Sequence, residues 1–197
     1  MAQQKPKPKV SRVVTKHDTK KKAISIIPKN ESQKNYLDTL WSKDDQVVVF
    51  GPSGTGKTYL VSSVAASLYH TKDINKIVIT RPHVAVGEKL GFLPGDLREK
   101  CEPWALPVLD VLDQHLGKGV VDTGIKNGNI EIAPMAIMRG RSFSNSFIIC
   151  DETQNITFHE LKMLLTRVGE GSKLVLNGDI MQSDLREADG LTKIIHL

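Results

Sequence analysis

The stretch Gly51-Pro52-Ser53-Gly54-Thr55-Gly56-Lys57-Thr58 limits what this 197-residue chain can fold into more than any other segment. Two glycines separated by four residues and followed by Lys and Thr satisfy the phosphate-binding loop pattern, and the flanking sequence agrees with it. Gln46 to Phe50 is a β-branched run that reads as a buried parallel strand, and about Lys57 to His70 reads as a helix. A glycine-rich turn between strand and helix points its N–H groups at an anion, and the positive end of the helix adds to that field. The expectation is a nucleotide triphosphate cradled by Gly51, Pro52, Ser53, Gly54, Thr55, Gly56, Lys57, Thr58 and Tyr59. Lys57 would reach the β- and γ-phosphates, and the Thr58 hydroxyl would ligate Mg²⁺.

Further buried strands are readable at Lys76 to Thr80, Phe147 to Cys150 and Lys173 to Leu176, with a shorter candidate at Ile130 to Ala133. Helical patterns separate several of them. Gln33, Tyr36, Leu37 and Leu40 recur at helical spacing behind Asn30 and Ser32, either of which could cap the start. Phe158 to Val168 places Leu161, Leu164, Leu165 and Val168 on one face, with Thr157 as the cap. Strands alternating with helices predict an α/β fold with a parallel sheet flanked by helices. Between Arg81 and Val121 the pattern loosens. Pro94, Pro103 and Pro107 mark turns there, Val108 to Leu116 reads as one helix, and the whole resembles an insertion on the core.

Length allows one such α/β domain and little else. The net charge of +5 is unevenly placed: residues 1–29 hold nine lysines and arginines against Asp18 alone, so the remainder is slightly acidic. With few large apolar residues before Ala23, residues 1–29 are expected to be a disordered basic arm, and 30–197 the folded domain. Such an arm suits a polyanion, or simply solubilises the terminus. No apolar run approaches the roughly 18 residues of a membrane span, and Met1 to Lys9 lacks a signal-peptide core, which predicts a cytoplasmic protein without a membrane partner. Cys101, Cys150 and the six histidines have no metal-ligand spacing.

A phosphate-binding loop needs a carboxylate for the metal, and Phe147-Ile148-Ile149-Cys150-Asp151-Glu152 supplies one at the carboxyl end of a strand, where α/β sheets bind ligands. Asp151 would hold Mg²⁺ and Glu152 would act as general base on the attacking water. Gly178-Asp179-Ile180-Met181-Gln182 follows another strand. In parallel topology it would lie beside Asp151, where Asp179 or Gln182 could sense the γ-phosphate; alone, the segment would read as a plain turn.

These segments together carry a resemblance. Asp151-Glu152-Thr153-Gln154 is similar to the DEAQ-type second motif of superfamily 1 helicases, with Thr153 in place of alanine, and Gly178-Asp179-x-x-Gln182 to their third motif. Thr80-Arg81-Pro82, Gly87 to Leu97, Pro134 to Arg141 and Leu165 to Gly169 resemble segments distinctive of PhoH-like proteins, over about Asn30 to Leu191. The resemblance implies a RecA-like P-loop NTPase of one lobe that binds and hydrolyses ATP with Mg²⁺ and acts on nucleic acid, RNA rather than DNA. It implies that Gln33 recognises adenine, unless it is a helix-surface glutamine, and that Arg81 contacts the nucleic-acid backbone, unless it caps or pairs locally. Among Arg139, Arg141 and Arg167, one would stabilise transition-state charge from within the chain or from a neighbour, or all three are surface charges; Arg167 joins Lys57, Glu152 and Gln182 as the expected catalytic set. A single lobe has no second lobe to supply that arginine, which implies a homo-oligomer, hexameric as in ring-forming NTPases.

The sequence stops at Leu197, where proteins of this kind continue through another strand and an arginine-bearing segment, which leaves the coupling of hydrolysis to movement open. Two other functions compete with an RNA-acting ATPase. One is a nucleotide-gated adaptor with little or no turnover. The other is a small-molecule kinase, which Gln154 and Gln182 fit less well than they fit hydrolysis.

Overall fold

Five short runs dominated by apolar and β-branched residues form the sheet of the computed structural model, which describes residues 21–82 and 97–182, without the side chains of 97–102 and 180. The strands are β1 (Gln46–Phe50), β2 (Lys76–Thr80), β3 (Ile130–Ile132), β4 (Ser146–Cys150) and β5 (Lys173–Gly178). All pairings are parallel, in the order β1-β5-β4-β2-β3. The strand after the phosphate-binding loop in sequence is therefore not its neighbour in space. Instead β5 lies between β1 and β4, pairing Phe50 with Gly178 on one side and Cys150 with Leu176 on the other. That register gathers the carboxyl ends of β1, β5 and β4 along one edge. This is a RecA-like P-loop architecture.

Successive strand residues point to opposite faces; β2, β4 and β5 are buried on both, which is why they read as continuous apolar runs. By contrast β1, expected to be a buried strand, lies at the edge of the sheet and leaves Val48 and Phe50 exposed. Ile77, Ile79, Phe147, Ile149 and Val175 pack under α1 (Glu31–Trp41), α2 (Lys57–Thr71), α3 (Leu97–Leu116) and α4 (Lys118–Lys126). Val78, Ile148, Cys150, Leu174 and Leu176 face α5 (Met135–Met138) and α6 (Phe158–Leu165). Burying Phe147, Ile148 and Ile149 completely contributes roughly 1.5–3 kcal/mol for each side chain. Two helices start where their caps predict. The Asn30 side chain accepts from Gln33 N, and Thr157 forms a reciprocal capping box with Glu160.

The structure corrects several expectations. Pro103 and Pro107 lie inside the 20-residue helix α3 rather than in turns. Each proline removes one N–H donor, yet Ala105, Val108 and Leu112 are buried against the core, and that packing holds the helix together across both. The helix at Phe158 ends at Leu165, not Val168, because Val168 turns away to bridge Phe143. Residues 21–29, expected to belong to a disordered arm, include an extended segment on α2: Ile24 N donates to Ser67 Oγ at 3.0 Å, and Ile24 and Ile26 pack on the core. Residues 1–20, Gly87 to Asp96 and the chain after Gln182 lie outside the described residues. No helix among the described residues is long and apolar enough to cross a membrane.

Candidate nucleotide site

The loop from Gly51 to Gly56 leaves β1 and enters α2 without a side-chain cap, since Gly56 occupies the capping position at φ +88°. Gly54 is also left-handed, at φ +76°, a conformation in which an L side chain is strained. The free amides at the start of α2 are thereby left facing the cleft. Lys57 folds back over the loop, its Nζ donating to Gly51 O at 2.8 Å and Pro52 O at 2.9 Å. An ammonium has three protons, so one remains for a ligand.

Around this loop lies a cleft of about 270 Å³, walled by the first turn of α2 as far as Tyr59, by Asp151 and Glu152 beyond β4, and by Asp179 and Gln182 beyond β5. The sheet order explains the convergence, because β5 carries Asp179 in between the two halves of the site. Asp179 Oδ2 accepts from Ser53 N at 2.9 Å, tying the third motif to the loop. Its own N–H donates to Gln154 Oε1 at 3.0 Å, and Gln154 Nε2 donates to Glu152 Oε2. Gly178 permits this approach: a Cβ there would meet Thr153 Oγ1 at 2.7 Å and Gln154 N at 3.0 Å. Gln182 is exposed at the cleft rim, on a short 3₁₀ turn that its N–H closes onto Asp179 O.

Asp151 is largely enclosed and faces Glu152 across the cleft wall. Burial pushes its pKa up, the charge of Glu152 adds to that, and the Glu152 backbone N–H, Arg81 and Thr58 only partly oppose it. Thr58 Oγ1 lies 3.4 Å from Asp151 Oδ2, wide for a hydrogen bond. Between the two sits Asn177, whose Nδ2 donates to Asp151 Oδ1 at 2.8 Å and to Thr58 Oγ1 at 3.1 Å. Sequence reasoning passes over Asn177. Its one signal is a polar residue at the end of the apolar run Lys173 to Leu176.

A buried carboxylate in excess negative charge beside a hydroxyl is a donor set that fits Mg²⁺, which binds one or two protein oxygens and completes its shell with water and phosphate. Among the described residues no cluster of three His, Cys, Asp or Glu side chains competes for a metal.

Glu152 has a left-handed backbone, φ +55° and ψ +39°. For a residue with a Cβ this costs on the order of 1–3 kcal/mol and persists only where surroundings enforce it. Its Oε1 pairs with Arg81 at 3.7 Å. The alternative of local pairing for Arg81 is thus the one the structure displays.

Gln33 lies beside the loop at a second cavity of about 310 Å³, shared with Tyr36, Phe50, Pro52 and Thr55. Its Nε2 donates to Thr55 O at 2.9 Å and its Oε1 accepts from Lys29 N at 2.8 Å. The three candidate arginines are not brought to the cleft. Arg139 contacts His159, Arg141 pairs with Glu131, and Arg167 donates to Arg141 O at 3.0 Å and to Thr166 Oγ1. Arg167 therefore buttresses the turn after α6 and does not reach the phosphate-binding loop in this chain.

Comparison with known proteins agrees with this architecture. Residues 25–197 match the family described as PhoH-like protein. A PhoH-like protein of Mycobacterium tuberculosis (strain H37Rv) is 43% identical over 175 residues, 88% of this chain and 49% of the relative. One from Bacillus subtilis is 45% identical over 164 residues, 83% of this chain and 51% of the relative. Protein PhoH of Escherichia coli (strain K12) is 44% identical over 162 residues, 81% and 46% respectively. The chain thus spans about half the length of the curated relatives it matches. Its sheet order, loop and matched residues make it a member of the PhoH-like protein family.

Proposed function

We propose that the chain binds ATP in the cleft between β1 and β4, hydrolyses it with Mg²⁺, and couples that turnover to RNA. The observation that carries this reading is the hydrogen-bonded connection of three separate segments, Ser53 to Asp179 to Gln154 to Glu152, around one cleft. A purely structural glycine loop would not need a carboxylate and a glutamine joined to it in this way.

Each residue has a role in that reaction. Amides of Gly54 to Thr58 and the Lys57 ammonium would bind the phosphate chain, the Ser53 N–H being held by Asp179. Thr58 and Asp151 would hold Mg²⁺, with Asn177 fixing both oxygens; bound there, the ion would neutralise charge on the β- and γ-phosphates. Glu152 would take a proton from the attacking water, and Gln182 would sense the terminal phosphate from the rim. Gln33 would meet the adenine beside the loop through the second N–H of its amide, because the first is held by Thr55 O.

RNA is proposed because Arg81 stands at the end of β2 beside Glu152, and because the excess basic charge of the chain is concentrated in residues 1–29. Since the three arginines near α5 and α6 are engaged elsewhere, a homo-oligomer, hexameric in the ring-forming manner, would supply the missing charge from a neighbour. The deciding experiment measures phosphate release from ATP with and without Mg²⁺ and with and without single-stranded RNA, alongside the mass of the particle in solution. Metal-dependent release that RNA accelerates is expected. Tight nucleotide binding without release would favour the adaptor instead.

A further inference from the structure

At the amino ends of the strands, opposite the nucleotide cleft, lies a cavity of about 370 Å³. Asn75 and Asn129, the residues just before β2 and β3, stand on its rim, and Tyr69 of α2 and Val120 of α4 give it an aromatic and an aliphatic wall. The helix α2 runs from one site to the other, and its 15 residues set them about 22 Å apart. The opening is basic: Lys21, His70 and Lys72 line it, and no lining residue is acidic. Asp73, next to Lys72, accepts from Thr71 Oγ1. His70 and Lys72 by themselves would be cations placed against the negative end of α2. Lys21 comes from a different segment, which that dipole does not explain. Lys21, Lys72, Asn75 and Asn129 are exposed, and none of these four side chains has a hydrogen bond or ion pair among the described residues.

The same rim is where the basic part of the chain meets the domain. Residues 1–29 carry nine lysines and arginines against Asp18 alone, and Ile24 N, donating to Ser67 Oγ at 3.0 Å, ties that segment to the last turns of α2. A strand of nucleic acid has the complementary chemistry: phosphates for exposed ammonium groups, a flat face for an aromatic wall, and polar base edges that a carboxamide can both donate to and accept from. A duplex keeps its bases paired and stacked, so only a single strand offers all three. We infer that this cavity binds single-stranded nucleic acid, taking one base against Tyr69 and Val120, the base edge on Asn75 and Asn129, and the flanking phosphates on Lys21 and Lys72. The inference rests on the nucleic-acid partner proposed above and goes beyond it by naming a surface remote from Arg81 and from the nucleotide cleft.

The test uses the full chain without nucleotide and a fluorescein-labelled oligo(U), whose binding is followed by anisotropy over a range of salt concentrations. One variant combines Lys21→Ala with Lys72→Ala; a second, Val120→Trp, fills the cavity without changing charge. A control combines Lys43→Ala with Lys162→Ala, two exposed lysines away from the cavity. Losing two phosphate contacts should lower the slope of log affinity against log salt by about 1.4, roughly 0.7 for each, and weaken binding about ten-fold or more near 0.1 M salt. Val120→Trp should weaken binding about five-fold or more, through the lost base contact, with the slope unchanged. The control should lose much less than the cavity pair, and ATP turnover without RNA should be the same in all. A cavity pair that binds no more weakly than the control overturns the inference. So does a Val120→Trp variant with wild-type thermal midpoint and wild-type affinity, since the basic segment alone would then hold the strand. If Val120→Trp unfolds, Val120→Gln takes its place under the same expectation. Displacement of oligo(U) by polyglutamate as readily as by unlabelled oligo(U) also overturns it, because the surface would then suit an acidic peptide equally well. A wild type that does not bind oligo(U) removes the RNA part of the proposed function together with the inference; binding that survives both cavity changes removes only the inference.

Discussion

Asn177 Nδ2 lies 2.8 Å from Asp151 Oδ1, and the same amide donates to Thr58 Oγ1 at 3.1 Å, so one buried side chain orients both proposed metal ligands. Asn177→Leu removes that donor while filling much the same volume. The concentration of Mg²⁺ needed for half-maximal turnover should rise about 10- to 100-fold, the usual effect of losing a partner behind a metal ligand. A metal titration of turnover would check it, and an unchanged midpoint would remove Asn177 from the site.

Lys57 and Glu152 should fail in different ways. Lys57→Ala loses a charged donor to phosphate, worth about 1.5–3 kcal/mol, and nucleotide affinity should fall roughly ten- to a hundred-fold. Glu152→Gln keeps the shape and the hydrogen-bonding oxygen but not the base, so nucleotide should still bind while turnover drops about 10²- to 10⁴-fold. Equilibrium binding of a fluorescent nucleotide, measured beside phosphate release, distinguishes the two.

Gly178→Ala should destabilise the chain by about 1–3 kcal/mol, because its Cβ would press on Thr153 Oγ1 and on the Gln154 backbone, which cannot rotate away. Turnover should fall with it, since Gln154 and Asp179 would be pushed apart. Chemical denaturation gives the first effect; equal stability in the variant would contradict the packing.

At the far edge of the sheet, Glu131 on β3 pairs with Lys76 on β2 at 2.8 Å and with Arg141, which also stacks over Phe143. Burial pushes the Glu131 pKa up, but hydrogen bonds and charge from Arg141 and Lys76 outweigh it and hold the carboxyl below its usual range. A lowered carboxylate pKa stabilises the fold above the unfolded value and loses that contribution as pH falls through the folded one. The groups are partly exposed, so the effect should be no more than about 1 kcal/mol. Thermal midpoints of wild type and Glu131→Gln should therefore differ near neutrality and converge as pH falls below about 4; parallel curves would show that the pairing contributes nothing.

Much of the site is legible in the sequence because its parts are local. The loop Gly51 to Thr58 announces a strand, a turn and a helix start through residue types that need each other within eight positions. Asp151 and Glu152 are visible because carboxylates after an apolar run stand at a strand end. Asn177 and the Arg81–Glu152 pair are not, since a single asparagine or arginine has no meaning until its neighbour in space is known. The prolines of α3 mislead for the opposite reason: their local cost is real, and distant packing overrides it.

The sequence by itself determined the fold class, the phosphate-binding loop and the identity of the carboxylates, because each depends on short-range periodicity and on chemistry carried within one segment. Only the tertiary structure decided that β5 inserts between β1 and β4, which brings Asp179 to the cleft wall, sets Gln154 and Asn177 behind the residues that line it, and leaves Arg167 outside it. Strand order is set by which apolar faces bury one another across the whole chain, and no window of sequence contains that sum.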